Sequence, residues 1–467
     1  MRALMVQGAS SSAGKSLITT AFARAAHRRG IDVVPFKAQN MSNNARVVDG
    51  GEIGTAQYLQ ALAAGVEPDV RMNPILVKPE GDTRSQVVVL GRPDFELSGL
   101  PWRSRAARLW EIVEDAYSSL AAAHDLVLIE GAGSPAEINL RDTDLANMRT
   151  AKLASARVVL VADIDRGGAF AHLYGTWALL PDDERELLCG FVLNKFRGDA
   201  SLLAPAPRQL EELTGVPTLG VVPWLRHGLP DEDGAARPRS GSGPRVAVVR
   251  YPTASNLDEL KRLELAADLR WAASPRDLDG ADLVVLPGSK HVAADLAWLH
   301  ASGLAAAVRE RAAAGGRVLG ICGGLQMLGL RVTDDAGVDG NAEGLGLLPV
   351  LTSFGREKLT ERSTVRFAAL PPPWSALSGA ELTGYEIRHG STKPVGDALK
   401  ALPGGRGFVE GSVCGITLHG LFENDALVRA ILGESSGETL EDVFDQLADA
   451  LEAHVDVDAL LERVAAA

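Results

Sequence analysis

Cysteine is scarce in this sequence, with three residues, Cys189, Cys322 and Cys414, among 467. They are too few for a disulfide framework and show no paired metal-ligand spacing, so a reducing cytoplasm is the expected compartment. Long apolar runs are missing too, and no charge-free stretch approaches the length of a membrane span. The opening residues MRALMVQGAS lack the basic segment, apolar core and cleavage site of a leader. Positive charge is in deficit: 47 Lys and Arg stand against 60 Asp and Glu, a net of −13, which argues against a nucleic-acid or anionic-membrane partner. There is no internal repeat and no low-complexity tract. What remains is an ordinary globular composition, 46% hydrophobic and 23% charged, at a length that two or three domains would fill.

The least core-like stretch runs from Arg226 to Pro244, where Pro, Gly, Ser and charge replace any hydrophobic period. It reads as a linker at 229–243 between a first domain at 1–228 and a second at 244–438. Before it, β-branched runs alternate with helical patterns at Ala3–Gln7, Ile31–Phe36, Leu126–Glu130, Arg157–Asp165, Gly190–Asn194 and Thr218–Val222. Such alternation predicts a parallel sheet with helices on both faces. After it the pattern restarts with RVAVVRY, DLVVLPG and RVLGICGG, then turns to shorter strand-like pieces near Val365–Phe367, Glu381–Ile387 and Val413–Leu418. This is a second α/β domain. Residues 439–467 carry Leu, Ala and Val at helical spacing between acids, which predicts one or two terminal helices packed on that second domain.

The first strand ends in GASSSAGKS, Gly8 to Ser16, and feeds a helix, the setting of a phosphate-binding loop. Backbone N–H groups after Gly14 would cradle phosphates, Lys15 would reach the outer ones, and the Ser16 hydroxyl would sit on Mg²⁺. Gly8 lies one residue too far back for the strict spacing. Glu130 follows the apolar run LVLI, and Asp163 and Asp165 follow RVVLV, so all three carboxylates emerge at the carboxyl edge of the sheet, where a metal or a helix start can use them. Lys37, at the end of the second strand, suits a phosphate, a substrate carboxylate or plain solvent.

Near Cys322 the residues RVLGICGGLQMLG read as strand, sharp turn and helix, with Gly320 and Gly324 flanking the cysteine. This is the elbow geometry that lifts a nucleophile out of a sheet, and the following helix start favours the thiolate. His419 ends the apolar strand of GITLHGLF and is the best base among nine histidines. Gly288, in PGSK after DLVVL, and Gly323, directly after the nucleophile, are placed to donate backbone N–H groups to an oxyanion. Cys189 and Cys414 lie within apolar strands and read as core.

An ATP site joined to a cysteine–histidine site implies that one domain frees ammonia from an amide while the other activates a carboxylate to receive it. The segments VQGASSSAGKS, PFKAQNMSNNARVVDGGEIGTAQ, MNPILVKPEGDTRSQVVVLG, IEGAGSPAEINLRDTDLANM, DIDRGGAF, NKFRGD, PGSK, GICGGLQMLG, GYEI and LHGLF resemble the cobyric acid synthase family from about residue 3 to about residue 430. The resemblance implies a first domain of the P-loop NTPase type, similar to dethiobiotin synthetase, and a second of the class I glutamine amidotransferase type, a flavodoxin-like α/β fold. It also implies ATP, Mg²⁺, L-glutamine and a corrinoid, adenosylcobyrinic acid a,c-diamide, amidated at its b, d, e and g carboxylates. By that resemblance Lys15, Ser16, Lys37, Asp49 and Glu130 match nucleotide, phosphate and metal positions, Asn194 matches an adenine contact, and Cys322 and His419 match nucleophile and base.

The sequence departs from the resemblance at two points. Class I amidotransferases place a glutamate two residues after the histidine, where this chain has Leu421; Glu423 is the substitute to be expected. GYEI is usually followed by His-Met, and here by Arg388 and His389. Three other readings compete: a cobyrinic acid a,c-diamide synthase, a partitioning or septum-positioning ATPase, and a binding module whose cysteine domain is degenerate. The PFKAQNM and EINLRDTDLANM segments argue against the first, Ser10 in place of an extra loop lysine and the presence of a second domain argue against the second, and the third predicts no glutaminase.

Overall fold

The computed structural model describes residues 2–79, 85–230, 243–433 and 437–466. Most of the linker predicted at 229–243 lies outside them. The first domain is built on six parallel strands in the order Thr218–Pro223, Leu188–Phe196, Arg157–Asp163, Arg2–Gly8, Leu126–Glu130, Val33–Phe36. Their side chains alternate between two apolar layers: Met5, Val127, Ile129 and Leu160 face one, Leu4, Val6, Leu128 and Val159 the other. Burial on both faces is why these strands read as unbroken apolar runs rather than as alternating ones. The carboxyl ends of the first, second and fourth runs in sequence, at Gly8, Phe36 and Asp163, open on one edge with Glu130, where the candidate nucleotide residues meet.

The second domain has a seven-stranded sheet in the order Asp268–Ala272, Arg245–Val249, Leu283–Leu286, Arg317–Ile321, Val413–Ile416, Gly407–Glu410, Leu399–Leu402. The first five strands are parallel, and the last two add on antiparallel. The pieces expected near Val365–Phe367 and Glu381–Ile387 belong to a longer antiparallel ribbon, Val350–Arg366 with Glu381–Pro394. The residues REKLTERST of that ribbon are too polar and solvated to leave a strand signal. The ribbon reaches the first domain, where Ile387 packs on Ala45, Leu76 and Val88.

The terminal helices contradict the expectation that they cover the second domain. Val443, Phe444, Leu447 and Leu451 of helix Leu440–Glu452, with Leu460 and Val464 of helix Val457–Ala465, join Leu4, Ile18, Phe22 and Val33 in the first domain. Nearness in sequence favoured the adjacent domain, but it is the distant one that offers an apolar surface for the helices, with matching charge around it. Arg24, Arg28 and Arg29 meet Asp445, Asp449 and Asp458 at 2.7, 2.6 and 2.6 Å. Each such surface pair contributes little, so the apolar face does the anchoring.

No helix among the described residues is long and apolar enough to cross a membrane. Phe444→Ala is expected to lower the stability of the first domain by about 3–5 kcal/mol. Arg28→Ala should change it by no more than about 1 kcal/mol. Urea unfolding checks both, and a negligible loss at Phe444 would mean that the helices are not seated there.

Candidate active site

Two sites emerge, one per domain. In the first, Gly14 ends the loop and caps helix Lys15–Arg28 at φ 100°, with no side chain closing the helix start. A Cβ at Gly14 would stand 2.0 Å from Asn194 Nδ2, so the residue is fixed both by its left-handed backbone and by close approach. A glycine at the cap brings no side chain to the helix start, whose positive end suits an anion. Glu130 is fully buried and accepts from Ser16 Oγ at 2.9 Å, from Lys37 Nζ at 2.8 Å and from Gln60 Nε2. Lys15 Nζ donates to the Gly133 carbonyl at 3.1 Å. The structure therefore brings Gly14, Lys15, Ser16, Lys37 and Glu130 to one place, and a hydroxyl beside a carboxylate is a donor pair that suits Mg²⁺.

The other expected residues fall differently. Asn194 donates from Nδ2 to the Ala13 carbonyl at 2.9 Å, which ties its amide to the loop backbone. Asp163 is buried and pairs with Lys195 Nζ at 3.0 Å, while Lys195 also donates to the Ser12 carbonyl. Asp165 is exposed and pairs with Arg197 at 3.0 Å. Asp163 thus supports the loop through Lys195, while Asp165 is engaged by Arg197 away from it. Asp49 is exposed beside the turn of the hairpin Ala45–Val48 and Gly51–Gly54, in a cleft with Arg92, Arg356 and Lys358, and the structure groups it with them rather than with Ser16 and Glu130.

In the second domain Cys322 adopts φ 52°, ψ −106° between strand Arg317–Ile321 and helix Gly323–Leu328. A β-carbon at Gly324 would lie 1.9 Å from the Leu286 carbonyl, so only glycine allows the elbow to close on the sheet. Such a strained cysteine is held there by its surroundings; its N–H donates to the Ile416 carbonyl at 2.8 Å. His419 follows the neighbouring strand, close enough to Cys322 for the sulfur to favour the charged imidazole. Gly288 and Gly323 face the same point: a Cβ on Gly288 would come within 2.9 Å of the His419 ring, and one on Gly323 within 2.7 Å of the Ser289 backbone nitrogen. Cys414 is fully buried, and burial pushes its thiol up to about 12; half-buried Cys189 is pushed up to about 11 for the same reason. Neither competes with Cys322.

The acid that orients His419 is Glu259, not Glu423. Glu259 Oε1 stands 2.7 Å from His419 Nδ1, and its Oε2 accepts the Gly420 N–H at 2.9 Å. Glu423 instead pairs with Arg46 of the first domain, because its helical turn points it away from the ring. Leu421 is fully buried in the core. Burial opposes a charged imidazole, but Glu259 and Cys322 outweigh it and hold His419 up at about 10. Sequence reasoning missed Glu259 because NLDELKRLE carries no chemical signature and lies 160 residues before the histidine. Arg388 pairs with Glu386 at 2.8 Å, and the His389 carbonyl accepts from Gln326 Nε2 at 3.2 Å, so both residues brace the ribbon beside the helix that follows Cys322.

A thiol, an imidazole and a carboxylate in this order are equipped for acyl transfer from an amide. The phosphate-loop residues lie within a match to the CobQ/CobB/MinD/ParA nucleotide binding domain family at residues 4–228, and Cys322, Glu259 and His419 within a match to the CobB/CobQ-like glutamine amidotransferase domain family at residues 245–427. Over 99% of its length the chain is 52% identical to 98% of a cobyric acid synthase of Polaromonas sp. (strain JS666). Over 98% it is 54% identical to 98% of one from Variovorax paradoxus, and over 96% it is 57% identical to 96% of one from Paracidovorax citrulli.

Glu259→Gln is expected to lower glutamine turnover about 100-fold or more, with a much smaller loss for Glu423→Gln. The folded value of about 10 for His419 lies above its ordinary 6.5, so the stability it contributes is complete below pH 6.5 and is lost as pH rises through about 10. Glu259→Gln should flatten that dependence in urea unfolding across the range. An unchanged slope would deny the pair its role.

Proposed function

Since the chain belongs to the cobyric acid synthase family, we propose that its two sites divide a single amidation, glutamine being opened at Cys322 and a corrinoid carboxylate being activated at the phosphate loop. The protein is a glutamine-hydrolysing ligase of cobalamin biosynthesis, and its first domain binds a nucleotide. The substrate in this reading is adenosylcobyrinic acid a,c-diamide, with its b, d, e and g carboxylates as acceptors. The observation that carries it is the Glu259–His419 pair beside the Cys322 elbow, in the same chain as a glycine-capped phosphate loop.

The Cys322 sulfur attacks the glutamine carboxamide carbon, and the N–H groups of Gly323 and of the short strand Gly288–Ser289 receive the developing oxyanion. His419, kept charged by Glu259, gives its proton to the leaving nitrogen, so ammonia departs and a glutamyl thioester remains. A water then loses a proton to His419 and cleaves the thioester. In the first domain the loop N–H groups and Lys15 hold the ATP phosphates, and Lys37 stands beside the attacking carboxylate. Ser16 and Glu130 would hold Mg²⁺, which spreads the negative charge of the transferred phosphoryl group. The corrinoid carboxylate takes the γ-phosphoryl group with release of ADP, and ammonia then attacks the acyl carbon, expelling phosphate and losing a proton to leave the amide.

For the corrinoid seat we take the cleft of about 730 Å³ between the Ala45–Gly54 hairpin and the ribbon. Phe95 is 65% exposed at its edge and offers an apolar face to a macrocycle, and Arg356 faces it without an ion-pair partner among the described residues. Asp49 on its floor bridges to Asp69, three residues before Met72, whose carbonyl accepts the Lys37 N–H at 2.8 Å. The seat is thus a few backbone links from the phosphate site.

The test is mass spectrometry of the corrinoid incubated with protein, ATP, Mg²⁺ and glutamine. Wild type should replace hydroxyl by amine stepwise, Cys322→Ala should do so with ammonium but not with glutamine, and Lys15→Ala should do so with neither. ATP turnover without a corrinoid product would mean another carboxylate is the acceptor. Arg356→Ala is expected to raise KM for the corrinoid about tenfold while leaving KM for ATP unchanged; equal effects on both would move the seat elsewhere.

A further inference from the structure

The acid that completes the glutaminase triad does not stand alone; it sits on a turn gripped by the nucleotide-binding domain. The turn Leu257–Leu260 carries Asp258 and Glu259, both buried. Asn44 Oδ1 accepts the Leu257 N–H at 3.1 Å, and Asn256, held at φ 54°, donates from Nδ2 to the Ala45 carbonyl at 3.3 Å and to the Tyr385 hydroxyl at 3.0 Å. Arg46 is the centre of the grip. Its buried guanidinium pairs with Asp258 and with Glu423, and lies 5.0 Å from the centroid of the Tyr385 ring. Tyr385 in turn stacks on His419, with centroids 5.3 Å apart and planes inclined by 23°, and exchanges two backbone hydrogen bonds with it.

Each group that fixes the catalytic imidazole is therefore tied to this one side chain of the other domain. Glu259 follows Asp258 in the chain, Tyr385 lies under the guanidinium, and Glu423 closes the turn after His419. A guanidinium is suited to the task, because its planar fork binds two carboxylates while its face covers an aromatic ring. The same element leads back to the nucleotide. Thr55 Oγ1 donates to Asp258 at 3.2 Å and opens helix Thr55–Ala63, whose Gln60 donates to Glu130 at the phosphate site.

We propose that Arg46 is a positioning residue for glutamine hydrolysis, supplied by the nucleotide-binding domain, which holds Glu259 and Tyr385 in register with His419. Glutamine is opened at full rate only while the synthetase domain is seated against the turn. The proposal rests on the glutaminase reading of Cys322, His419 and Glu259. Cys322→Ala tests that reading separately, since glutamine-driven amidation surviving in that variant would overturn the reading itself.

The experiment compares Arg46→Met, Glu259→Gln and the double variant in the full chain, with glutamine and with ammonium as nitrogen source. Because Arg46→Met leaves Asp258 as a lone buried charge, Arg46→Met with Asp258→Asn is made in parallel as a variant free of that penalty. The expected result is a loss in kcat for glutamine of about tenfold or more, with KM for glutamine and ammonium-driven amidation within about twofold. Arg46→Lys, which keeps the charge, should recover part of the loss. If Arg46 acts through Glu259, the double variant is no slower than Glu259→Gln alone. Multiplying losses, an equal fall with ammonium, or an unchanged kcat for glutamine would each overturn the proposal.

Discussion

A histidine with 1% of its surface exposed carries a proton only if an anion is buried beside it, since an uncompensated charge there costs several kcal/mol. Glu259, itself 1% exposed, is that anion. The rest of the glutaminase site is fixed by the sheet. Strands Arg317–Ile321 and Val413–Ile416 pair with Ile321 opposite Ile416, so the elbow at Cys322 and the imidazole of His419 issue from neighbouring strand ends. Gly320 and Gly324 set the height of the sulfur above that edge: a Cβ on Gly320 would lie 2.7 Å from the Gly324 backbone. Only the acid arrives from outside the sheet, and together with Cys322 it favours the charged form of the His419 imidazole.

The two domains meet through more than one kind of contact. Glu52 of the first domain lies fully buried between its own Lys78, at 2.6 Å, and Lys358 of the ribbon. Burial opposes its charge, but Lys358 and Lys78 outweigh it and hold the carboxyl down to about 2. The folding contribution of that anion is thus present above its ordinary value of 4.5 and is lost only as pH falls through about 2. Lys290, next to the short strand Gly288–Ser289, donates to Gln86 of the first domain at 3.0 Å. With Ile387 seated on Ala45, Leu76 and Val88, the interface combines apolar burial with buried, matched charge. Under the proposed division of the reaction, such an interface would keep water away from ammonia passing between the domains.

How much of this the sequence disclosed follows from where the signals reside. A strand buried on both faces writes itself as a run such as LVLI or RVVLV, so the two sheets and the residues at their carboxyl ends were legible. The phosphate loop and the cysteine elbow were legible because glycine is demanded there by backbone conformation and by close approach. Glu259 was not, since a carboxylate on a short turn looks like any solvated acid until the fold lays it against His419. The ribbon was hidden by its polar residues. The terminal helices were recognised as helices but assigned to the wrong neighbour, because an amphipathic pattern tells what a helix buries and not which surface receives it.

The replacement of the usual acid by Leu421 has a physical consequence. An acid two residues after the histidine would share a turn with it, and its geometry would be set within the second domain alone. Glu259 lies instead on a turn whose backbone and neighbouring side chains are held by Asn44, Ala45, Arg46 and Thr55. Moving the acid there leaves His419 and Cys322 where the sheet puts them, and makes the third member conditional on contact with the domain that uses the ammonia. Leu421 then fills the apolar space beneath the strand end, which a buried carboxylate would have had to leave solvated or paired. Under the proposal above, an acid held by the partner domain would link the rate of glutamine hydrolysis to the integrity of the assembled enzyme.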